Sequence, residues 1–145
     1  MNRMIALVLF GLLASAAHAQ QPPPSPLAEK QACADQAKKV FEEETKNWRG
    51  AKVYVSHYDA ARASCFMMIS GYDDTTKGTI IFNDYVYEAF EHTSLGSYLQ
   101  AFKLPADGAP SQPILCEVKT SKGKVSCTRR EEFKELVSKE YGFQQ

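Results

Sequence analysis

Four cysteines, Cys33, Cys65, Cys116 and Cys127, constrain this chain more than any other feature. In an exported chain an even cysteine count reads first as disulfides, whereas in a reducing compartment it reads as metal or redox chemistry. The compartment therefore comes first. Met-Asn-Arg precedes an apolar run from Met4 to Ala17, and Ala17-His18-Ala19 puts small residues at the −3 and −1 positions of a cleavage site. This is the three-part pattern of a secretory signal peptide. A membrane anchor needs about 20 apolar residues. The run here is shorter and ends in small residues and a polar, Pro-rich segment. Residues 1–19 are thus expected to be removed, and the protein to be periplasmic or secreted. Gln20, not Cys, follows the cut, so no lipid-modified N-terminus is expected.

Export makes the disulfide reading the leading one, and the hairpin pattern selects among the three possible pairings. Ile114, Cys116 and Val118 share one strand face, Ser121-Lys122-Gly123 supplies a turn, and Val125 and Cys127 return. With a loop at Thr120–Gly123 the two cysteines fall opposite each other, which leaves Cys33 to pair with Cys65. No Cys-x-x-Cys occurs and the spacings match no zinc pattern, so no metal is expected. No glycine-rich phosphate loop is present either, and no cofactor is expected.

Pro22, Pro23 and Pro24 make residues 20–25 an extended spacer. One domain is expected over residues 26–145. Ser25-Pro26 opens a helix, with Cys33, Ala37, Val40 and Phe41 on one stripe and Gly50 as its stop. The Glu42–Glu44 run reads as a solvated face. Val53 and Val55 alternate with polar-edged residues as in a strand, and Asp59 to Arg62 reads as a turn. Ser64–Ser70 is a near-continuous apolar run, as in a strand covered on both faces. Gly71 to Gly78 reads as a polar loop, and Thr79–Asn83 as a strand. Tyr85–Phe90 favours a strand, although Asp84 is also a capping residue for a short helix. Another strand is expected from Tyr98 to Leu104, and a loop from Pro105 to Pro113. Thr128-Arg-Arg-Glu is a capping-box pattern, with Phe133, Leu136, Val137 and Tyr141 at helical spacing behind it. The expected class is α+β: an antiparallel sheet packed by an N-terminal and a C-terminal helix, with two disulfides.

Few residues carry chemistry. Ser56-His57-Tyr58-Asp59 holds the residue types of a hydrolytic triad, but adjacent strand residues point to opposite faces, and no Gly-x-Ser-x-Gly elbow exists. Seventeen basic residues balance seventeen acidic ones, which excludes a nucleic-acid surface built on bulk positive charge. Lys119, Lys122, Lys124, Arg129 and Arg130 cluster, but Glu117, Glu131 and Glu132 interleave with them. Tyr85, Tyr87, Phe90, Tyr98 and Phe102 form an aromatic group, and exposed tyrosines serve well as interface anchors. His57, Asp59, Tyr85, Tyr87, Arg129 and Arg130 are therefore the candidate binding surface.

Cys33 in a first helix, His57-Tyr58 before Cys65-Phe66, the Glu88–Glu91 segment, Tyr98, Cys116-x-Val118, and Cys127 leading into Glu131-Glu132-Phe133 together resemble small exported bacterial disulfide-containing proteins. The resemblance implies export and a disulfide-bearing domain, and supplies no catalytic residues. The leading expectation is a non-enzymatic exported module that binds a protein or an envelope component. The alternatives are a small secreted hydrolase using His57 and Asp59, and a structural accessory of the envelope.

Overall fold

The computed structural model describes residues 25–76, 78–103 and 112–143. The expected signal peptide, most of the expected proline spacer and nearly all of the expected Pro105–Pro113 loop lie outside the described residues. The elements are α1 (Pro26–Glu44), β1 (Lys52–Asp59), β2 (Ser64–Thr76), β3 (Thr79–Glu88), β4 (Thr93–Lys103), β5 (Leu115–Thr120), β6 (Gly123–Ser126) and α2 (Arg130–Tyr141). The six strands form one antiparallel sheet in chain order, β1-β2-β3-β4-β5-β6. An antiparallel sheet between two terminal helices is an α+β fold.

α1 begins where the sequence says it should. Ser25 Oγ accepts the Ala28 N–H at 3.2 Å, with Pro26 in the first turn. It ends at Glu44, six residues before Gly50. Thr45 N–H donates to the Phe41 carbonyl, and Lys52 Nζ donates to the Thr45 and Trp48 carbonyls at 2.6 and 3.1 Å. These bonds satisfy acceptors that a helix end leaves free. Gly50 has another task. A Cβ there would lie 2.1 Å from the Tyr72 carbonyl oxygen, and one at Gly71 would lie 2.5 Å from that of Ala51. The two glycines let the α1–β1 link cross β2 at close range.

Gly71 therefore does not begin a loop. β2 runs on to Thr76 and makes a long hairpin with β3, in which Tyr72 pairs Phe82 and Asp73 pairs Ile81. This corrects the expected polar loop: glycine marks a close backbone approach inside the strand. β3 is likewise unbroken, and Asp84 sits mid-strand rather than at a helix start. β4 begins at Thr93, not Tyr98. Its first residues are small and polar, and a register shift near Val86 and Tyr87 interrupts their alternation. Gly96 matters here because a Cβ would lie 3.3 Å from the Phe133 ring of α2.

α2 starts one residue later than the capping-box reading. Arg129 is the N-cap and its side chain makes no cap bond. Glu132, not Glu131, reaches back to the Thr128 N–H at 2.8 Å and to its Oγ1 at 3.0 Å. The Thr128 N–H, then the Thr128 hydroxyl and Arg129, hold the Glu132 carboxyl down to about 2. At the other end Gly142 takes φ 77° and donates to the Ser138 carbonyl, the left-handed C-terminal cap glycine allows.

Buried side chains form two clusters. One unites Cys33, Ala37 and Val40 of α1 with Cys65, Met67 and Ile69 of β2, Tyr87 of β3 and Ala89. The other unites Phe133, Val137 and Tyr141 of α2 with Phe66, Val86, Tyr98, Cys116 and Val118. In β2 the first set is odd-numbered and the second even-numbered, so the clusters occupy opposite faces of the sheet. Disulfides join Cys33 to Cys65 and Cys116 to Cys127, the pairing expected from the hairpin, with Cα–Cα distances of 5.3 and 5.1 Å. Among the described residues no helix is long and apolar enough to cross a membrane.

Candidate functional site

The α2 face of the sheet is longer than its helix. α2 has 12 residues and at 1.5 Å per residue spans about 18 Å. β3 has 10 residues and at about 3.3 Å each spans about 33 Å. The helix shields the end near Phe66 and Val86. The other end stays open and forms a cleft of about 600 Å³ beside the helix N-terminus. Register explains its floor. Phe82 pairs Gln100, Asp84 pairs Tyr98 and Ile80 pairs Phe102, so these even-numbered residues share one face. Phe82 and Phe102 meet edge to face at 5.1 Å, and Tyr72 lies 6.1 Å from Phe82. Thr128, Arg129, Arg130 and Glu131 make the wall. A smaller hollow of about 250 Å³ continues past Arg130 to Val53 and Tyr72.

One ion pair organises this cleft. Asp84 is fully buried, and its carboxylate accepts from Arg130 Nε at 2.5 Å and from Nη2 at 2.8 Å. Two parallel bonds to a planar guanidinium give direction as well as strength. Arg130 remains 31% exposed and lies 5.9 Å over the Phe82 ring. The hydrogen-bonded carboxylate of Asp84 pushes the guanidinium pKa above its ordinary value. The first turn of α2 is thereby pinned to the middle of β3. Sequence reading named Arg130 but not Asp84, Phe82 or Gln100. The available signal was a lone carboxylate inside an apolar strand, which needs a partner when buried.

The other residues read as candidates are scattered. His57 lies between the Phe66 and Phe143 rings at 5.8 and 5.0 Å, and burial lowers its pKa. Asp59 turns back on its own hairpin. It accepts the Ala61 and Arg62 N–H groups at 2.9 and 3.2 Å and pairs with Arg62 Nε at 2.7 Å. The Arg62 side-chain bond holds its carboxyl below the ordinary value. His57 and Asp59 thus each have other partners and share no hydrogen bond. Arg129 is exposed and paired with Glu132 at 3.3 Å. In the same basic cluster Lys124 meets Glu117 at 2.9 Å, and Lys119 donates to the Ser94 carbonyl at 2.7 Å.

Tyr85 and Tyr87 are odd-numbered and lie on the α1 side, away from the cleft. Tyr87 is only 7% exposed, and its hydroxyl donates to Glu44 at 2.9 Å. Burial, then Glu44, pushes its pKa well above the usual phenol range. The same Glu44 holds His92 at 2.8 Å, and His92 stands at φ 51° in the β3–β4 turn. Glu44, read as part of a solvated run, thus ties the end of α1 to that turn. Among the described residues no group of three or more His, Cys, Asp or Glu is placed to hold a metal ion. Comparison with protein-family models, curated proteins and solved structures returns no match to this chain.

Proposed function

We propose that the protein is a small exported binding module, not an enzyme, and that its cleft beside the α2 N-terminus takes a segment of a partner protein. The observation that carries this is the open aromatic floor of Phe82, Phe102 and Tyr98, walled by Arg129 and Arg130. Aromatic and arginine side chains dominate the energetics of protein recognition. A cleft with an apolar floor and few convergent polar groups is the usual form of a binding site. The Asp84 pair holds Arg130 in place before any partner arrives, which lowers the ordering cost of binding. In this reading α1 and α2 are covers for the two sheet faces, and α2 is short enough to leave one end of its face free. The signal-peptide pattern and the two disulfides support a periplasmic or secreted location.

The hydrolase alternative has less support, because His57 is packed between rings and Asp59 is committed to its turn. The test is capture from an envelope extract with the processed protein and with two folded variants, Phe102→Ala and Arg129→Glu. One partner protein should be retained by the parent and weakened about 30-fold or more by Phe102→Ala, the loss expected of a central anchor. Equal retention by both variants would remove the cleft from the proposal. Hydrolytic activity abolished by His57→Ala, with no partner recovered, would replace it with the enzyme. Recovery of an envelope glycan alone would move it to the structural accessory.

A further inference from the structure

The two edges of the sheet are built differently. β6 has four residues, includes Lys124, and is tied beside the Cys116–Cys127 bridge. Short length and charge are the ordinary ways to blunt an edge strand. β1 has eight residues, Lys-Val-Tyr-Val-Ser-His-Tyr-Asp, with no proline and with its charges only at the two ends. Nothing in its sequence protects it.

The ladder shows which groups face outward. Tyr72 N–H donates to the Ala51 carbonyl, and residues 51 and 72 continue the β1–β2 register. Hydrogen-bonded pairs recur every second residue, so Val53, Val55, His57 and Asp59 point their backbone groups at β2. The N–H and C=O groups of Lys52, Tyr54, Ser56 and Tyr58 then point away from the sheet. None of these backbone groups has a hydrogen-bond partner among the described residues. On the α2 face of the same strand Val53 is 65% and Val55 is 51% exposed, because α2 packs over β4 and β5 rather than over β1. One strand thus offers a row of open ladder groups and an uncovered apolar row.

We infer that β1 pairs antiparallel with β1 of a second copy of this chain, across a twofold axis through Val55, to give a continuous twelve-stranded sheet. Only a residue whose backbone faces outward can bond across the joint. The axis at Val55 sets Tyr54 against Ser56 of the other copy and Lys52 against its Tyr58, so every outward residue finds an outward one. On the apolar face Val55 meets its own copy and Val53 meets His57. Each end of the joint sets Lys52 of one copy against Tyr58 of the other and Asp59 against Ala51, so no like charges oppose each other in this register. A parallel alignment would instead set Lys52 beside Lys52. The antiparallel register thus keeps like charges apart and matches the strand to itself, which is what a twofold interface requires. The joint also extends the floor of the smaller hollow, which already reaches Val53. The inference is independent of what the cleft binds.

The experiment measures the mass of the processed protein by sedimentation across the micromolar range. The parent should show a concentration-dependent dimer. Val55→Lys and Val55→Asp, which place like charges across the axis, should each weaken it by about tenfold or more, and an equimolar mixture of the two should restore it. Ser56→Pro should do the same, because it deletes an outward donor and leaves the β1–β2 ladder intact. In the parent alone, exchange of the Tyr54, Ser56 and Tyr58 amides should slow as concentration rises. A parent that stays monomeric throughout overturns the inference. So does a dimer that survives all three substitutions, or outward amides whose exchange ignores concentration. A monomer whose outward amides are protected only by an added extended peptide would assign the edge to a foreign strand.

Discussion

Removing Arg130 should cost more than removing Asp84, although they form one pair. Asp84 is 0% exposed and its two oxygens take bonds of 2.5 and 2.8 Å from a guanidinium that is 31% exposed. Two unit charges about 4 Å apart attract by about 4 kcal/mol at an effective dielectric of 20. The desolvation of Asp84 offsets much of that, so the intact pair adds little net stability. Breaking it is another matter. Arg130→Met strands a fully buried carboxylate, at about 3–5 kcal/mol. Asp84→Leu strands only a guanidinium that can swing into the cleft, at about 1–3 kcal/mol. The double substitution removes both charges and should return to within about 1 kcal/mol of the parent. Native domains are stable by only about 5–15 kcal/mol, so the first variant should be visibly marginal. Urea unfolding followed through Trp48, the single tryptophan, reads this directly; its ring lies 5.9 Å from Tyr85 on the opposite face of the sheet. Denaturation midpoints should fall in the order double variant, Asp84→Leu, Arg130→Met, at constant slope. If Arg130→Met costs no more than Asp84→Leu, or the double variant is the worst of the three, the burial asymmetry does not govern this site.

Replacing Cys33 and Cys65 by Ala should cost about 4 kcal/mol, and replacing Cys116 and Cys127 about 3, because the first bridge closes the longer loop; thermal melts that reverse this order would count against the loop-entropy account. Ala63 stands at φ 48° in the β1–β2 turn, so Ala63→Gly should stabilise by about 0.5–1 kcal/mol, and a loss in the same urea assay would mean the turn is not strained. His57 is held below its ordinary 6.5 by burial, with Asp59 opposing and Arg62 adding to that shift. Its contribution is complete above pH 6.5 and is lost as the pH falls through the lower folded value, since the unfolded chain takes up the proton first. His57→Phe should keep the packing against Phe66 and Phe143 and flatten that acid loss, which a pH series of urea midpoints would detect.

Where local chemistry decided an outcome, the sequence was enough. Ser25-Pro26 capped α1 because its first turn needed an acceptor, and Asp59 made the β1–β2 turn because its carboxylate reaches the Ala61 and Arg62 amides. The disulfide pairing followed from hairpin register alone, since Cys116 and Cys127 are equidistant from the Ser121-Lys122 turn. Where two distant segments meet, the same reasoning misread the residue. Gly71 looked like a loop because glycine breaks strands, but its lack of a side chain serves the passage of Ala51. Asp84 lies in a segment whose composition favours a strand, with a helix cap as the other reading, and neither reading points to Arg130, 46 residues away, which makes it a buried partner.

The candidate site divides along the same line. By itself the sequence determined that the chain carries an export pattern, a cysteine framework, balanced charge and strands enough for a sheet, because each is a property of composition or short-range periodicity. It also identified Arg130 as a basic residue in a mixed cluster. Only the tertiary structure decided that Tyr85 and Tyr87 lie across the sheet from Phe102, that α2 ends short of Phe82 and packs away from Val53, and that β1 is left as an open edge. Each of these depends on which residues share a face and how far a helix reaches, and both are set by register between strands that are far apart in the chain.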